Sequence, residues 1–195
     1  MSQAELISAC IKNDKTAKKQ LFETYCSKLS FISLRYSKNS AQSEQVLLHG
    51  FAHVFSTLGQ FKPQNTAITL DEFMKNEFIS FIVKYIKGIR NEYYVASTVK
   101  AVEHKEKSYD LFLDSKFIDV NNVCKEVLLK SIQALVPSQR LIFNLHVIDN
   151  YTLAQASELL DTSEQSMKAN LEKARFNLQK TIEQNLKLSN DEQPV

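Results

Sequence analysis

Apolar residues recur every three or four positions along most of this chain, the spacing that places them on one face of an α-helix. The pattern predicts helices over about 4–12, 16–36, 42–58 and 70–96, with more helices from 123 onwards. Gly and Pro, which interrupt helices, each occur only 3 times in 195 residues. We therefore expect an all-α protein.

The most informative stretch is 134–180, which is predicted to form a short helix, a tight turn and a longer helix. Thr152 and Gln155 form a capping-box pattern, in which a hydroxyl and an amide each bind an unpaired backbone N–H at a helix start. Thr162 and Gln165 repeat the pattern, so a second helix is expected almost at once. This layout is typical of helix-turn-helix DNA-binding proteins.

The predicted turn, Asp161–Ser163, is short enough to make the second helix cross the first steeply. The polar residues expected to project from the second helix are the candidate DNA contacts. They are Ser163, Gln165, Ser166, Lys168, Asn170, Lys173 and Arg175. Hydroxyls, amides and cations suit phosphates and base edges. A solvated face of an ordinary helical bundle would also be polar, so this alternative stays open.

A second cationic segment lies in the predicted helix 70–96, where Lys84, Lys87, Arg90 and Asn91 occur among aromatic residues. Such a mixture suits a melted DNA strand, because cations neutralise phosphates and rings stack on bases. The alternative is that the rings fill the core and the lysines are solvated. We expect five apolar residues of this helix to be core: Phe78, Phe81, Ile82, Tyr85 and Ile89.

Charge is unevenly distributed, although the net value is only +2. Residues 1–95 hold 12 Lys/Arg and 8 Asp/Glu, whereas residues 126–195 hold 7 and 9. A slightly acidic DNA-binding domain gains little from counterion release. We expect the C-terminal part to bind DNA weakly by itself and to depend on a partner.

Several other classes of protein are disfavoured. We find no apolar run long enough to span a bilayer and no signal-peptide core, so we expect a cytoplasmic protein without membrane insertion. The 3 cysteines, Cys10, Cys26 and Cys124, are expected to be reduced and buried. His49 and His53 have the spacing of two metal ligands, but without an obvious third ligand we predict no metal, no cofactor and no catalysis.

The chain is expected to divide into two helical domains joined by a linker. Dense, mixed charge and weak apolar periodicity mark 97–122 as the linker. The domains are then 1–96 and 123–188, followed by a tail at 189–195.

The order of these parts resembles the sigma-70 family, in particular its small two-domain members of the extracytoplasmic-function (ECF) type. The C-terminal match is carried by Leu135–Pro137, Gln139–Arg140 and Lys173–Arg175. In the N-terminal part, Phe51–Phe61 is similar to the family's block of Phe, Trp and Phe, with Phe55 in the Trp position. The resemblance implies a sigma region 2-like bundle and a region 4-like helix-turn-helix domain.

This chain departs from the family pattern just before Phe51. The family has an Asp-Leu-Val-Gln-Glu run that holds the clamp helices of RNA polymerase, whereas this chain has the more apolar Gln45–His49. Glu172 also brings a negative charge into the recognition helix. By family position, the residues expected to bind polymerase are Gln45, Leu48, His49 and Ala52.

The resemblance implies a sigma factor that recruits core RNA polymerase to promoter DNA. The N-terminal domain would open the −10 element and the C-terminal domain would read the −35 element. An anti-sigma protein is a further partner that the resemblance allows. The alternative is a degenerate sigma-like regulatory protein that does not recruit polymerase productively.

Overall fold

The computed structural model describes residues 2–61, 68–89 and 123–191, with side chains described as far as residue 185. The chain divides into two compact units, Met1–Gly88 and Ile89–Val195. Regular structure within the described residues is helical throughout, so the all-α prediction is confirmed. The predicted linker 97–122 lies outside the described residues.

In the N-terminal unit, residues 2–61 and 68–88 form four α-helices whose positions agree closely with the sequence pattern. They are α1 (Gln3–Ile11), α2 (Lys15–Tyr36), α3 (Ser40–Thr57) and α4 (Leu70–Gly88). A 3₁₀ turn, Leu58–Gln60, continues α3. Polar side chains fix all four of these helix starts: Asp14 and Asn39 cap α2 and α3, and capping boxes begin α1 (Ser2 with Glu5) and α4 (Thr69 with Glu72). The predicted extension of α4 to residue 96 falls outside the described residues from 90 onwards.

Helices α2, α3 and α4 pack on one another, and α1 packs against α2. Their buried faces include Leu21, Val46, Phe78 and Ile82, each of which is fully buried. Helices α3 and α4 run antiparallel. His49 contacts Tyr85, whereas His53, one turn later on α3, contacts Phe81, one turn earlier on α4. The two helices approach closely at Gly50, where an added Cβ would overlap the ring of Phe78.

One polar cluster joins the first turn of α4 to the middle of α2. The Tyr25 hydroxyl donates to Asp71 Oδ1 and the Lys28 ammonium to Asp71 Oδ2, both at 2.6 Å. The bond from Lys28, followed by that from Tyr25, lowers the pKa of the Asp71 carboxyl. Burial, followed by the hydrogen bond to Asp71, raises the pKa of Tyr25. The cluster therefore stabilises α4 against α2 while Asp71 is ionised.

The described part of the C-terminal unit consists of short helices packed on one long helix. They are α5 (Lys125–Ala134), α6 (Pro137–Ile142), a π-helical segment (Phe143–Ile148), α7 (Leu153–Leu160) and α8 (Glu164–Asp191). Pro137 occupies the first turn of α6, as predicted. Helix α8 continues three residues into the segment expected to be a tail. Its inner face carries Met167, Leu171, Ala174 and Leu178, all buried as the apolar spacing predicts.

Among the described side chains of this unit, Arg140 is the largest that is fully buried. Its guanidinium donates to the backbone oxygens of Gln133, at 2.8 Å, and Leu135, at 2.6 Å. Carbonyl groups at a helix C-terminus have no partner within the helix. Arg140 therefore binds the end of α5 from inside the domain, and its part in the sigma-like pattern is structural.

The burial predicted for the cysteines is correct for one residue only. Cys10 is buried, Cys26 is half-buried and Cys124 is exposed, and all three are free thiols. Cys124 was expected to be buried, but it precedes the first turn of α5 as its N-terminal flanking residue, outside the packed face of the helix.

Candidate functional site

The turn between α7 and α8 is defined by its backbone. Asp161 has a φ of 54° in the left-handed region, which Asp adopts more readily than most residues. The Thr162 N–H donates to Ser157 O at 3.0 Å and the Asp161 N–H to Glu158 O at 3.3 Å. These two bonds form a Schellman motif, which ends α7 and turns the chain directly into α8.

The two capping predictions around this turn have different outcomes. Thr152 and Gln155 form the predicted capping box, with bonds of 2.9 and 3.1 Å. The prediction for Thr162 and Gln165 is wrong by one residue, because the Ser163 hydroxyl accepts from the Ser166 N–H at 3.2 Å. Thr162 is already engaged in the Schellman motif through its own N–H, so the next hydroxyl along the chain begins α8.

The candidate DNA contacts on α8 divide into free and engaged side chains. Gln165, Lys168, Lys173 and Arg175 are exposed. The hydroxyls of Ser163 and Ser166 are also exposed but hydrogen-bond each other at 3.0 Å. Asn170 is half-buried, and its amide donates to Ser166 O at 3.0 Å. The Ser163, Ser166 and Asn170 side chains are therefore held by the helix itself.

The electrostatic character of this surface is mixed. Lys168, Lys173 and Arg175 supply three positive charges, and Glu164 and Glu172 supply two negative ones, all on exposed side chains. The surplus is one positive charge, which supports only a weak general attraction to phosphates. Specific contacts would have to contribute the rest of any affinity for DNA.

The four candidate polymerase contacts, Gln45, Leu48, His49 and Ala52, are exposed together on α3. Leu48 is 70% exposed, the highest value among the large apolar side chains of the described residues. Val46, by contrast, is fully buried, so the more apolar sequence in this region increases the apolar surface at Leu48 but not at Val46. A single exposed leucine is common on protein surfaces, so Leu48 is a candidate contact because of its place in the predicted set rather than its exposure alone.

A row of rings borders this surface, and the sequence interpretation missed it. Phe81 and Tyr85 were predicted to be core residues, but both are half-buried. The Tyr85 ring stacks with His49 at 6.5 Å between centroids, and the Phe81 ring stacks with His53 at 5.5 Å. The Tyr85 hydroxyl also donates to Gln45 Oε1 at 3.2 Å. The sequence does contain the spacing behind this row: Phe81 and Tyr85 are four residues apart on α4, and two histidines are four residues apart on α3. Residues four apart lie on one helix face, so antiparallel helices can bring two such pairs opposite each other.

The other core predictions for α4 have mixed outcomes. Phe78 and Ile82 are fully buried as predicted, whereas Ile89 is half-buried. Of the candidate contacts to melted DNA, Lys84 is exposed and Lys87 is half-buried with a partner of its own. Arg90 and Asn91 lie outside the described residues.

The two histidines on α3 have separate partners. His49 stacks on Tyr85, while His53 Nε2 lies 3.3 Å from Glu77 Oε2. Among the described residues, no group of three or more His, Cys, Asp or Glu side chains could hold a metal ion. Each histidine side chain therefore contacts a different residue of α4.

The C-terminal unit thus has the architecture of a helix-turn-helix domain, with two capped helices joined at a backbone-defined turn. Residues 125–178 match the family described as Sigma-70, region 4. This match confirms the resemblance to the sigma-70 family for the C-terminal unit.

Two solved structures match the chain, and the first of them shows a similar fold. One is the sigma factor RpoE in complex with the anti-sigma factor NepR from Bartonella quintana, at 13% identity and a TM-score of 0.52, covering 84% of this chain and 95% of that one. The other is CnrH in complex with the cytosolic domain of CnrY, at 13% identity and a TM-score of 0.41, covering 89% and 92%. No curated protein sequence matches the chain. None of the helices described is both long and apolar enough to cross a membrane.

Proposed function

We propose that this chain is a sigma factor of the ECF type, acting in transcription initiation in the bacterial cytoplasm. In this role its N-terminal unit binds core RNA polymerase and the −10 element, and its C-terminal unit reads the −35 element. The observation that carries the proposal is the helix-turn-helix within a segment that matches sigma-70 region 4. The protein is then a transcription regulator rather than an enzyme.

The proposed polymerase contact is the exposed face of α3 formed by Gln45, Leu48, His49 and Ala52. Support comes from the projecting Leu48 side chain and from the polar groups on either side of it. Apolar burial is insensitive to salt, whereas exposed ion pairs are screened. Docking through this surface should therefore persist as ionic strength rises.

The proposed DNA contacts lie on two elements. On α8 the exposed Gln165, Lys168, Lys173 and Arg175 face solvent next to the turn. On α4 the exposed Lys84 is a candidate for the −10 strand, together with Arg90 and Asn91 by sequence position. Because the surplus charge of the α8 surface is small, promoter binding is expected mainly in the polymerase complex.

A regulatory partner is part of the proposal. RpoE of Bartonella quintana was solved in complex with an anti-sigma factor. By analogy, a protein that sequesters this chain would control its access to polymerase. Either unit has exposed side chains that such a protein could cover.

The test is retention of bacterial core RNA polymerase by the tagged full-length chain across a salt series. We expect retention that falls little with salt and is largely lost in Leu48→Asp. Leu128→Asp is the matched control, since Leu128 is 40% exposed on α5 of the other unit. Circular dichroism checks that both variants are folded.

The second candidate function is a sigma-like regulator that does not recruit polymerase. The observation that favours it is the loss of both family carboxylates from Gln45–His49. If the folded wild-type chain retains no polymerase even at low salt, the sigma proposal is wrong and this function takes its place.

A further inference from the structure

The inner face of α8 determines which residues point away from the domain. The buried side chains Met167, Leu171, Ala174 and Leu178 form one stripe. Successive residues of an α-helix are rotated by about 100°, so the opposite stripe can be assigned by position. It contains Gln165, Ala169, Glu172 and Phe176, and all four are exposed.

Two lysines flank this outward stripe. Lys168 lies on one side of it and Lys173 on the other, by the same rotation of about 100° per residue. When a helix enters the major groove, its outermost residues meet base edges and its flanks meet the phosphates of the two strands. With α8 in the major groove, Glu172 would therefore face base edges, while Lys168 and Lys173 would face the phosphates of the DNA backbone.

The Glu172 carboxylate is available for such a contact. None of the described residues forms a hydrogen bond or an ion pair with it, and the same holds for the Gln165 amide. The neighbouring Ser166 and Asn170 are engaged within the helix. Ala169 carries only a methyl group, so it lets the helix backbone approach the bases between Gln165 and Glu172.

The chemistry of the major groove selects one base for a carboxylate. Cytosine offers its N4 amino group as a donor, whereas guanine offers only the acceptors N7 and O6 and thymine offers the acceptor O4. Adenine offers an amino group, but its N7 acceptor lies beside it and repels a negative oxygen. Cytosine is the base whose major-groove edge suits Glu172.

We propose that Glu172 is a specificity-determining residue that accepts a hydrogen bond from the N4 amino group of a cytosine in the upstream promoter element. This inference rests on the proposed function, since it requires α8 to lie in the major groove. In this role the negative charge of Glu172 selects among bases. The carboxylate attracts the amino group of cytosine and repels the acceptor atoms of guanine and thymine.

The test is selection of binding sites from a randomised double-stranded DNA library by the full-length chain, alone and with core RNA polymerase. We expect the wild type to enrich a cytosine at one position. Glu172→Gln should change that preference to adenine, since an amide binds adenine N6 and N7 together. Discrimination in favour of cytosine should fall by about fivefold or more.

The matched control is Glu183→Gln, which makes the same chemical change about 16 Å further along the helix. It should leave the selected site unchanged. If the wild type enriches a site and Glu172→Gln enriches the same site, the inference is overturned while the proposed function stands. If Glu172→Gln merely strengthens binding to every sequence, Glu172 faces phosphates and the inference is again wrong. If the wild type enriches no site in either arm, the inference and the −35 part of the proposed function fall together.

Discussion

The Phe78 ring of α4 packs directly on the backbone of Gly50 in α3. A methyl group at position 50 would overlap Cδ2 and Cε2 of that ring, and both residues are buried. The ring also lies edge-on to Phe51, with centroids 6.3 Å apart. The close approach of the two helices therefore depends on the absence of a side chain at position 50.

The first prediction is that Gly50→Ala destabilises the N-terminal unit. Overpacking of a dense core costs about 1–3 kcal/mol, which exceeds the gain of about 1 kcal/mol in helix propensity. Urea unfolding measures the change. Gly88→Ala is the control: no described atom would lie within 4 Å of a methyl group at position 88, so only the propensity gain remains. Equal stability of Gly50→Ala and the wild type would contradict the predicted packing.

The second prediction concerns acid stability and Asp71. Its folded-state pKa is lowered, so its contribution to stability is present above the unfolded value of about 3.9 and is lost as pH falls through the folded value. At pH 7, Asp71→Asn should reduce the free energy of unfolding by about 1 kcal/mol, a modest value because the Lys28–Asp71 pair is more than half exposed.

The measurement is chemical unfolding of wild type and Asp71→Asn between pH 7 and pH 2. The difference between them should shrink as Asp71 becomes protonated. Glu23→Gln is the control, because Glu23 forms only an exposed pair with Lys19 at 3.8 Å. A difference that stays constant with pH would show that Asp71 acts through its shape alone.

The third prediction is that Arg140→Lys destabilises the C-terminal unit by about 1–3 kcal/mol, because an ammonium group cannot reproduce the two directed bonds of a guanidinium. Thermal unfolding followed by circular dichroism provides the comparison. Arg175→Lys, an exposed substitution on α8, should change stability by less than about 0.5 kcal/mol. Similar losses in both variants would argue against a structural role for Arg140.

The fourth prediction is that Lys168→Ala weakens promoter binding by the polymerase complex and flattens its salt dependence. One lost phosphate contact lowers the slope of log K against log salt by about 0.9. Fluorescence anisotropy across a salt series gives this slope. Lys180→Ala, about 18 Å further along α8, should retain the wild-type slope. An unchanged slope in Lys168→Ala would place this side chain away from DNA.

Much of the fold could be predicted from the sequence, because helix periodicity and capping are local properties. The bounds of α1 to α3 are within two residues of the prediction, and the Thr152–Gln155 capping box is confirmed. The failures depend on tertiary structure. Phe81 and Tyr85 have the spacing of core residues, yet they stack on histidines of α3. The i, i+4 pairs are visible in the sequence, but which pairs meet across the two helices depends on how the helices pack.

The candidate site was less predictable than the fold. The sequence marks seven polar residues as candidate DNA contacts, and by family position Lys168 and Lys173 are the ones most expected to face the major groove. The structure distinguishes them, because Ser163, Ser166 and Asn170 are engaged in helix contacts while Gln165, Lys168 and Lys173 face solvent. Such differences arise from hydrogen bonds that depend on where the helix begins. The cap at Ser163 was predicted one residue too early, at Thr162.

In the helix-turn-helix, the residues that set the direction of α8 differ from the residues on its outermost face. The direction of α8 is set by main-chain bonds at Asp161 and Thr162 and by its buried stripe. Its outermost side chains contribute nothing to that direction. Substitutions at positions 165, 169 and 172 can therefore accumulate without disturbing the fold, so lineages descended from this chain could acquire different target sequences through a few point mutations.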